Sequence, residues 1–425
     1  MQFSSNTYRV REGDGQATIT VTRTGPADGK TDVHYSVGDG TGNQRRDFTR
    51  ASGQLKFEPG ETSKQFEVLI NERSGDTGSR TAALSLDNVH GGSLGSPSTA
   101  VLEIQGDGAA DTNSSNSIDD PSKFVRQHYH DFLNREPDAD GRAFWTREIT
   151  ACGGDRQCVE VKRINVSAAF YLSIEFKETG YLVERIYKAA YGDAVGTSTL
   201  GGAHQLKVPV VRLEEFLPDT QEIGQDVVVL QAGWERKLEQ NKQAFMDEFV
   251  ARDRFNAAYP AALSPADFVD RLNQNAGNPL SRAERDRLVS DLASGAKTRA
   301  QVLRAVAEDD DLVKAEFNRA FVLMQYIGYL RRNPADAPEP GLDYTGYDFW
   351  LRKLDEFGGD FVRAEMVKAF ITSIEYRSRF QSGTADAESA AAGASPERPP
   401  TWAETAARAL YFRLAPPLAR THTSG

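Results

Sequence analysis

The sequence predicts a molecule in two parts, a seven-stranded β-sandwich followed by an all-α bundle of helical units. Three observations carry that prediction. From residue 3 to about 107, short runs alternate apolar and polar residues between Gly, Pro and Asp turns. From Phe124 to Phe380, apolar residues recur at helical spacing. And one helical stretch is written twice. R-I-N-V-S-A-A-F-Y-L-S-I-E-F, Arg163 to Phe176, aligns without a gap with R-A-E-M-V-K-A-F-I-T-S-I-E-Y, Arg363 to Tyr376, 200 residues further on. Val166, Phe170, Ser173 and Ile174 fall at i, i+4, i+7 and i+8, as do Met366, Phe370, Ser373 and Ile374. That spacing predicts an apolar stripe on one helix face. A unit used more than once implies that neighbouring copies bury each other's faces.

The 425 residues are too many for one ordinary core, so two or three domains are expected. Hydrophobic residues at 39% and charged residues at 26% fit a globular protein. A net charge of −11 argues against nucleic-acid binding, which needs a basic face, and permits divalent cations. No apolar run approaches the ~20 residues of a membrane span. Met1-Gln2-Phe3-Ser4 has neither the basic nor the apolar region of a leader and reads as the beginning of a strand; if the protein is exported, its leader is missing from this chain or export uses another route. The only cysteines, Cys152 and Cys158, lie in C-G-G-D-R-Q-C. Without nearby His they make no zinc site, and a short-loop disulfide in an oxidising compartment is favoured over free thiols.

In the first part, T-I-T-V-T-R turns Ile19 and Val21 one way and Thr18, Thr20 and Thr22 the other. The same alternation recurs at Val33, Tyr35 and Val37, at Phe66, Val68 and Ile70, at Leu84 and Leu86, and at Leu102 and Ile104. Gly13-Asp14-Gly15, Gly38-Asp39-Gly40, Pro59-Gly60 and Gly91-Gly92 mark turns. Seven short strands at this spacing suggest a sandwich. The residues Tyr8 to Gly15, Ala17 to Gly25, Gly38 to Thr41, Asp47-Phe48, Gly53 to Phe57 with Pro59 to Thr62, and Gly95 to Ile104 resemble a Calx-beta domain. The resemblance implies an Ig-like sandwich and a family ability to bind Ca²⁺ in the loops at one end. The matching acidic positions are Glu12, Asp47, Glu72 and Asp107, half of the six to eight oxygens that calcium takes. The family's acidic pair before the sixth strand stands here as Thr77 and Arg80. The competing expectation is that Arg80 pairs with one of those carboxylates and no metal binds.

Residues 108–122, rich in Asp, Ser and Asn, read as a flexible linker that lets its flanks move semi-independently. Helical units follow. The first runs through Phe124 to Leu133, the turn Asn134 to Gly141, Phe144-Trp145 and the Arg163–Phe176 helix. The last repeats this plan with Phe321 to Leu330, Arg332-Asn333-Pro334, Phe349-Trp350 and the Arg363–Tyr376 helix. Two more units are inferred between them, from Tyr181 to Tyr187 with Phe245, Phe249 and Phe255, and from Phe268 to Leu272 with Arg299 to Val306. The expected organisation is therefore 3–107 sandwich, 108–122 linker, 123–192 first unit and start of the second, 193–231 an irregular insertion, 232–318 middle units, 319–380 last unit and 381–425 a disordered tail. Within the insertion, Leu206 to Leu217 reads as a docked extended segment. Within the tail, Trp402 to Leu414 has the pattern of a brief helix.

The block from Leu133 to Trp145, L-x-R-x-P-D-x-x-G-x-x-F-W, and the closing F-x-x-S-x-E-F from Phe170 to Phe176 resemble an uncharacterised bacterial helical family often found beside Calx-beta modules in large surface or secreted proteins. That family's fold is thought to be similar to phycobilisome linker domains, which act as assembly connectors. It carries no established activity.

Each chemical candidate has a structural competitor. Asp138-Ala139-Asp140-Gly141 opens like a calcium loop, but the twelfth position is Ile149, so a Pro-Asp turn and helix N-cap is favoured. Glu175 and Glu375 recur at matching positions and find natural partners in Arg135 and Arg332. His128 and His130 point apart on a helix. Trp145 and Trp350, next to Phe144 and Phe349, could stack on sugars and are read instead as core anchors. No H-E-x-x-H, G-x-S-x-G or P-loop occurs. The function expected is non-enzymatic: an extracellular or cell-surface binding, adhesion or assembly protein with a protein or surface ligand. The alternatives are a calcium-responsive regulatory module and a hydrolase with its site near 193–231.

Overall fold

The computed structural model describes residues 1–73, 75, 77–108 and 116–381. Much of the expected linker, 109–115, and the expected tail from 382 onward, with its Trp402 to Leu414 helix, lie outside the described residues. The first part is a sandwich of two sheets, as its alternation requires. Strands β1 (Gln2–Phe3), β3 (Gln16–Thr22) and β6 (Ser63–Leu69) form the smaller sheet in the order β1-β3-β6. The larger sheet, β2-β8-β7-β4-β5, is made by β2 (Thr7–Arg11), β4 (Thr31–Asp39), β5 (Ser52–Phe57), β7 (Ser79–His90) and β8 (Thr99–Gln105). Only the β2–β8 pair of that sheet runs parallel. Ile19, Val21, Val33, Val37, Leu84, Leu102 and Ile104 all point into the core. The intervening Thr18 and Thr20 face outward, the pattern of a sheet wet on one face.

The second part is helical: α1 (Pro121–Leu133), α2 (Ala139–Thr150), α3 (Arg156–Tyr171), α4 (Ile174–Phe176), α5 (Leu182–Tyr191), α6 (Leu213–Gly224), α7 (Trp234–Phe249), α8 (Asp253–Ala258), α9 (Pro265–Asn275), α10 (Arg282–Ala293), α11 (Arg299–Ala307), α12 (Asp310–Gln325), α13 (Thr345–Glu356), α14 (Met366–Thr372) and α15 (Ile374–Ser378). Side-chain N-caps start many of them. Asp120 accepts from Ser122 and Lys123, Asp155 from Gln157 and Cys158, and Asp309 from Asp311 and Leu312. Asp138 caps α2 through the Gly141 N–H at 2.8 Å, the turn-and-cap role expected of it. A disulfide joins Cys152 to Cys158 across the α2–α3 turn, Cα atoms 5.5 Å apart.

The insertion differs from the extended segment expected there. Strands β9 (Asp193–Ser198) and β10 (His204–Pro209) make an antiparallel hairpin, and the chain is helical from Leu213. The run ahead of α1 is packed as well: Ser117 and Ile118 are buried, and α1 begins at Pro121.

The twice-written stretch makes the same contacts twice. Phe170 and Phe370 are 3% and 5% exposed. Trp145 lies 5.9 Å from Phe170 and Trp350 5.6 Å from Phe370, at tilts of 47° and 49°. Arg135 grips Glu175 at 2.8 and 3.0 Å, and Arg332 grips Glu375 at 2.7 and 3.0 Å, each through two parallel N–H donors. One expectation needs correction. The apolar stripe stops at Phe170 and Phe370, because Ser173 and Ser373 are extended N-caps that start a new helix. The turn swings Ile174 and Ile374 outward, to 53% and 56% exposure. Trp145 and Trp350 pack against the core, while Phe144 and Phe349 beside them are exposed.

Glu175→Ala is expected to destabilise the protein by about 2 kcal/mol, less than stranding a fully buried charge because Arg135 keeps some water. Ile174→Ala should stay within about 0.5 kcal/mol. Denaturant midpoints of the full chain compare the two; equal effects would refute a structural role for the pair.

Candidate functional site

The acidic loops of the sandwich face the helices. Glu12 sits on a short turn after β2 and has no exposed surface. Its Oε1 accepts from Arg80 Nη2 at 2.9 Å and from the Arg73 backbone N–H at 3.0 Å. Asp47 Oδ1 lies 3.0 Å from Arg73 Nη1 and 2.9 Å from Arg80 Nε, and its Oδ2 accepts from the Asn43 N–H at 2.8 Å. Two guanidinium groups thus stand where the oxygens of Glu12 and Asp47 converge. Glu72 turns to α1 instead, 2.7 Å from Lys123 Nζ and 3.7 Å from Arg126 Nη1. Asp107 flanks Gly13, where a Cβ would lie 2.9 Å from its Oδ2.

These residues do not fit calcium. The ion wants six to eight convergent oxygens, and here the convergent oxygens are engaged by cationic donors. Among the described residues, no three His, Cys, Asp or Glu side chains are grouped to hold a metal. Burial pushes the Glu12 carboxyl up from its ordinary 4.5 to about 7, against the pull of Arg80 and Arg73.

The helical side completes the seam. Arg126 donates to Gly13 O at 3.1 Å, and its Nη2 lies 1.4 Å from where a Gly15 Cβ would be, so only glycine fits at that residue, whose φ is +78°. Gln127 donates to Asn71 at 3.2 Å, and Arg73 Nε to Gln381 O at 3.2 Å. Arg45 of the sandwich donates to Glu375 at 2.7 Å and to Leu330 O at 3.1 Å, while Arg379 returns a bond to Arg45 O at 2.9 Å. Arg379 is itself held by buried Asp131 at 2.9 and 3.0 Å. On the far side Gln221 of α6 bridges Ser52 and Arg50. A cavity of about 10 Å³, lined by Glu72, Lys123, Arg126 and His130 among others, leaves room for one water.

Three polar sets that the sequence did not disclose could be mistaken for catalytic ones. Ser198, His204 and Asp348 come together across the hairpin and α13. Yet Ser198 Oγ donates to Asp348 Oδ2 at 2.7 Å, and His204 Nε2 meets the same oxygen at 3.1 Å. A nucleophilic serine must hand its proton to the imidazole; here the serine hydroxyl donates to the carboxylate instead, and His204 Nε2 faces the donor Arg352 Nη2 at 2.9 Å. His128 Nε2 meets Ser167 Oγ at 2.7 Å, and Ser167 bonds Tyr329, but all three are buried in the aromatic core. Burial lowers the His128 pKa to about 4, and its Nδ1 faces the Phe124 carbonyl. The third set lies under the hairpin. Lys188 bonds Asp193 at 2.6 Å and lies 3.3 Å from Glu316, while Arg319 reaches Asp193 at 2.6 Å. Buried Glu184 stands beside them, its pKa pushed up to about 8 by burial and then by Glu316. None of these groups lines the cavity at Glu72 or the groove along α2.

Residues 1–108 match the Calx-beta domain family, so the chain carries a Calx-beta domain at its N-terminus. Among curated proteins it is similar to integrin beta-4 of Mus musculus, 39% identical over 72 residues, or 17% of this chain and 4% of that one. The Homo sapiens protein is 36% identical over the same length. The chain thus spans about 4% of the length of these relatives. Among solved structures, the apo-form Calx CBD1 domain is 27% identical, with 25% of this chain and 95% of that chain covered and a TM-score of 0.24. The calcium binding domain CBD12 of CALX1.1 is also 27% identical over 25% of this chain and 45% of that one, TM-score 0.24. No described helix is long and apolar enough to cross a membrane.

Arg80→Ala removes one of two guanidiniums facing a wholly buried carboxylate. It is expected to cost about 3 kcal/mol in chemical denaturation; a cost below about 0.5 kcal/mol would show the seam to be unimportant. Glu184 binds a proton in the folded chain that the unfolded chain releases between pH 4.5 and about 8. Its contribution therefore makes stability fall as pH rises through that window. Glu184→Gln should remove this part of the slope, so that the variant gains most over the parent at pH 8. Parallel stability–pH curves would refute it.

Proposed function

We propose that the protein is a non-enzymatic binding, adhesion or assembly scaffold of the cell surface or extracellular space, in which the Calx-beta domain is fixed to the helical part rather than tethered to it. The observation that supports this most directly is how the reactive groups are spent. Glu12 and Asp47 are neutralised by Arg73 and Arg80, and Phe170 and Phe370 are closed into cores. The Ser–His pair at Ser167 and His128 is sealed from solvent. What remains outside is repeated apolar surface, Phe144 with Phe349 and Ile174 with Ile374, suited to contact with another macromolecule.

Four related helical units account best for the second part. Two units share one ending, since Asn134 after Leu133 and Arg331 after Leu330 are both left-handed caps of the opening helical run. The boundaries are those read from the sequence, 123–192, 232–318 and 319–380, with the hairpin insertion at 193–231. The likeness to assembly connectors of the phycobilisome type supports the assembly role. The disulfide between Cys152 and Cys158 supports an oxidising compartment.

Beads coated with the full chain test the reading against intact cells of the organism that makes it. Saturable binding that is the same in calcium and in chelator is expected. No binding above uncoated beads would sink the adhesion reading, and binding only in calcium would transfer it to the calcium-responsive alternative.

A further inference from the structure

The face of α13 that receives the β9–β10 hairpin has a bare counterpart on α2. Phe144 and Trp145 stack edge-on at 4.9 Å and 77°, and Phe349 and Trp350 do so at 5.1 Å and 76°. With the matching Trp–Phe contacts described above, these place α2 and α13 in register, 205 residues apart by the Trp145–Trp350 match. On α13, the Tyr344 N–H donates to Thr197 O at 2.8 Å and the Thr199 N–H to Thr345 at 2.9 Å. Asp348 accepts from Ser198, and Arg352 Nη2 meets His204 at 2.9 Å. An extended segment thus lies on that face, and Arg352 is balanced by Asp348 one turn away at 2.8 Å.

In register with Tyr344, Asp348 and Arg352, α2 carries Ala139, Ala143 and Arg147. The large ring and the acid are gone and the arginine stays. These three residues line an open groove of about 600 Å³ that also holds Arg142 and Thr146. Arg142 touches only the hydroxyl of Ser122, at 2.9 Å, and neither arginine meets a carboxylate among the described residues. The Thr146 hydroxyl is enclosed and has no hydrogen-bond partner.

We infer that the α2 groove docks an extended, acidic peptide segment of a partner protein. The shape follows from what lies on α13, and the charge follows from the loss of the internal acid at Ala143. The occupant supplies the carboxylate that Asp348 supplies on α13, and Arg147 holds it. This deepens the binding reading above and rests on it.

The test is fluorescence anisotropy of the full chain with a labelled peptide of alternating Thr and Asp, which sets its carboxylates on one side of a strand. The same peptide with Lys for Asp, and an oligothymidylate of equal charge, are the comparisons. Binding of the acidic peptide alone is expected, weakened at least tenfold by Arg147→Glu and by Ala143→Trp, which fills the groove. Arg236→Glu, on exposed surface of α7, should leave it unchanged, and all three variants should melt with the parent. Equal binding of the basic peptide, equal binding of the oligothymidylate, or affinity indifferent to both groove variants would overturn the assignment. If Arg147→Glu chains still coat beads that hold cells, the groove fails while the adhesion reading stands.

Discussion

The molecule depends on a lattice of opposite charges kept dry between its two parts. Arg73 and Arg80 each face a buried carboxylate of the sandwich, and neither ion could be left alone there. Moving a charge of this kind out of water costs several kcal/mol, and only close partners with good hydrogen bonds offset it. Such a lattice adds little net stability over an apolar contact of the same size. What it adds is intolerance of error. If the helices slid along the sandwich, Glu72 would leave Lys123 and Arg45 would leave Glu375, stranding half-buried charges of which Glu375 alone would keep a partner, in Arg332. The seam therefore sets orientation more than affinity.

That constraint changes what the sandwich can do. Loops that gather acids at one end of a β-sandwich suit an exchangeable cation. Here the same loops are occupied by side chains of the same domain and then covered by α1 and the residues around Arg379 and Gln381. A covalently attached cation cannot leave, so the end that would respond to an ion becomes a fixed joint. Gly15 shows how closely the parts fit, since the Arg126 guanidinium fills the space of its absent Cβ.

Much of the fold was legible in the sequence, because both periods were clean. Alternation at Ile19 and Val21 and helical spacing at Val166 and Phe170 each report a buried face directly. The Arg–Glu pairs were legible because they occur twice at matching positions. The failures have one cause: residues whose environment is decided by distant chain. Ile174 follows a stripe that local spacing extends through it, but the Ser173 cap breaks the helix and points it outward. The contacts across the seam could not be read from residues 108–122, because they come from Arg45, Arg73, Arg126 and Arg379, with Arg45 and Arg379 334 positions apart. Ser198, His204 and Asp348 were invisible for the same reason, and only their geometry shows that the acid accepts the serine's hydrogen bond.

The two parts also divide the work of specificity. A few charge pairs cross the seam, Arg45 with Glu375 and Glu72 with Lys123 among them, and many more are closed within each part, so only some charged groups are left over for a partner. Those left over acquire meaning from their position. Arg147 is unpaired because Ala143 stands where α13 has Asp348, and Phe144 and Phe349 are exposed on helices whose Trp neighbours are anchored. A rigid joint makes such scattered features usable, because their spacing is held constant and a ligand that bridges them does not spend binding free energy on ordering the two halves. The charge lattice thus acts on recognition at a distance, by fixing where the unpaired surface points.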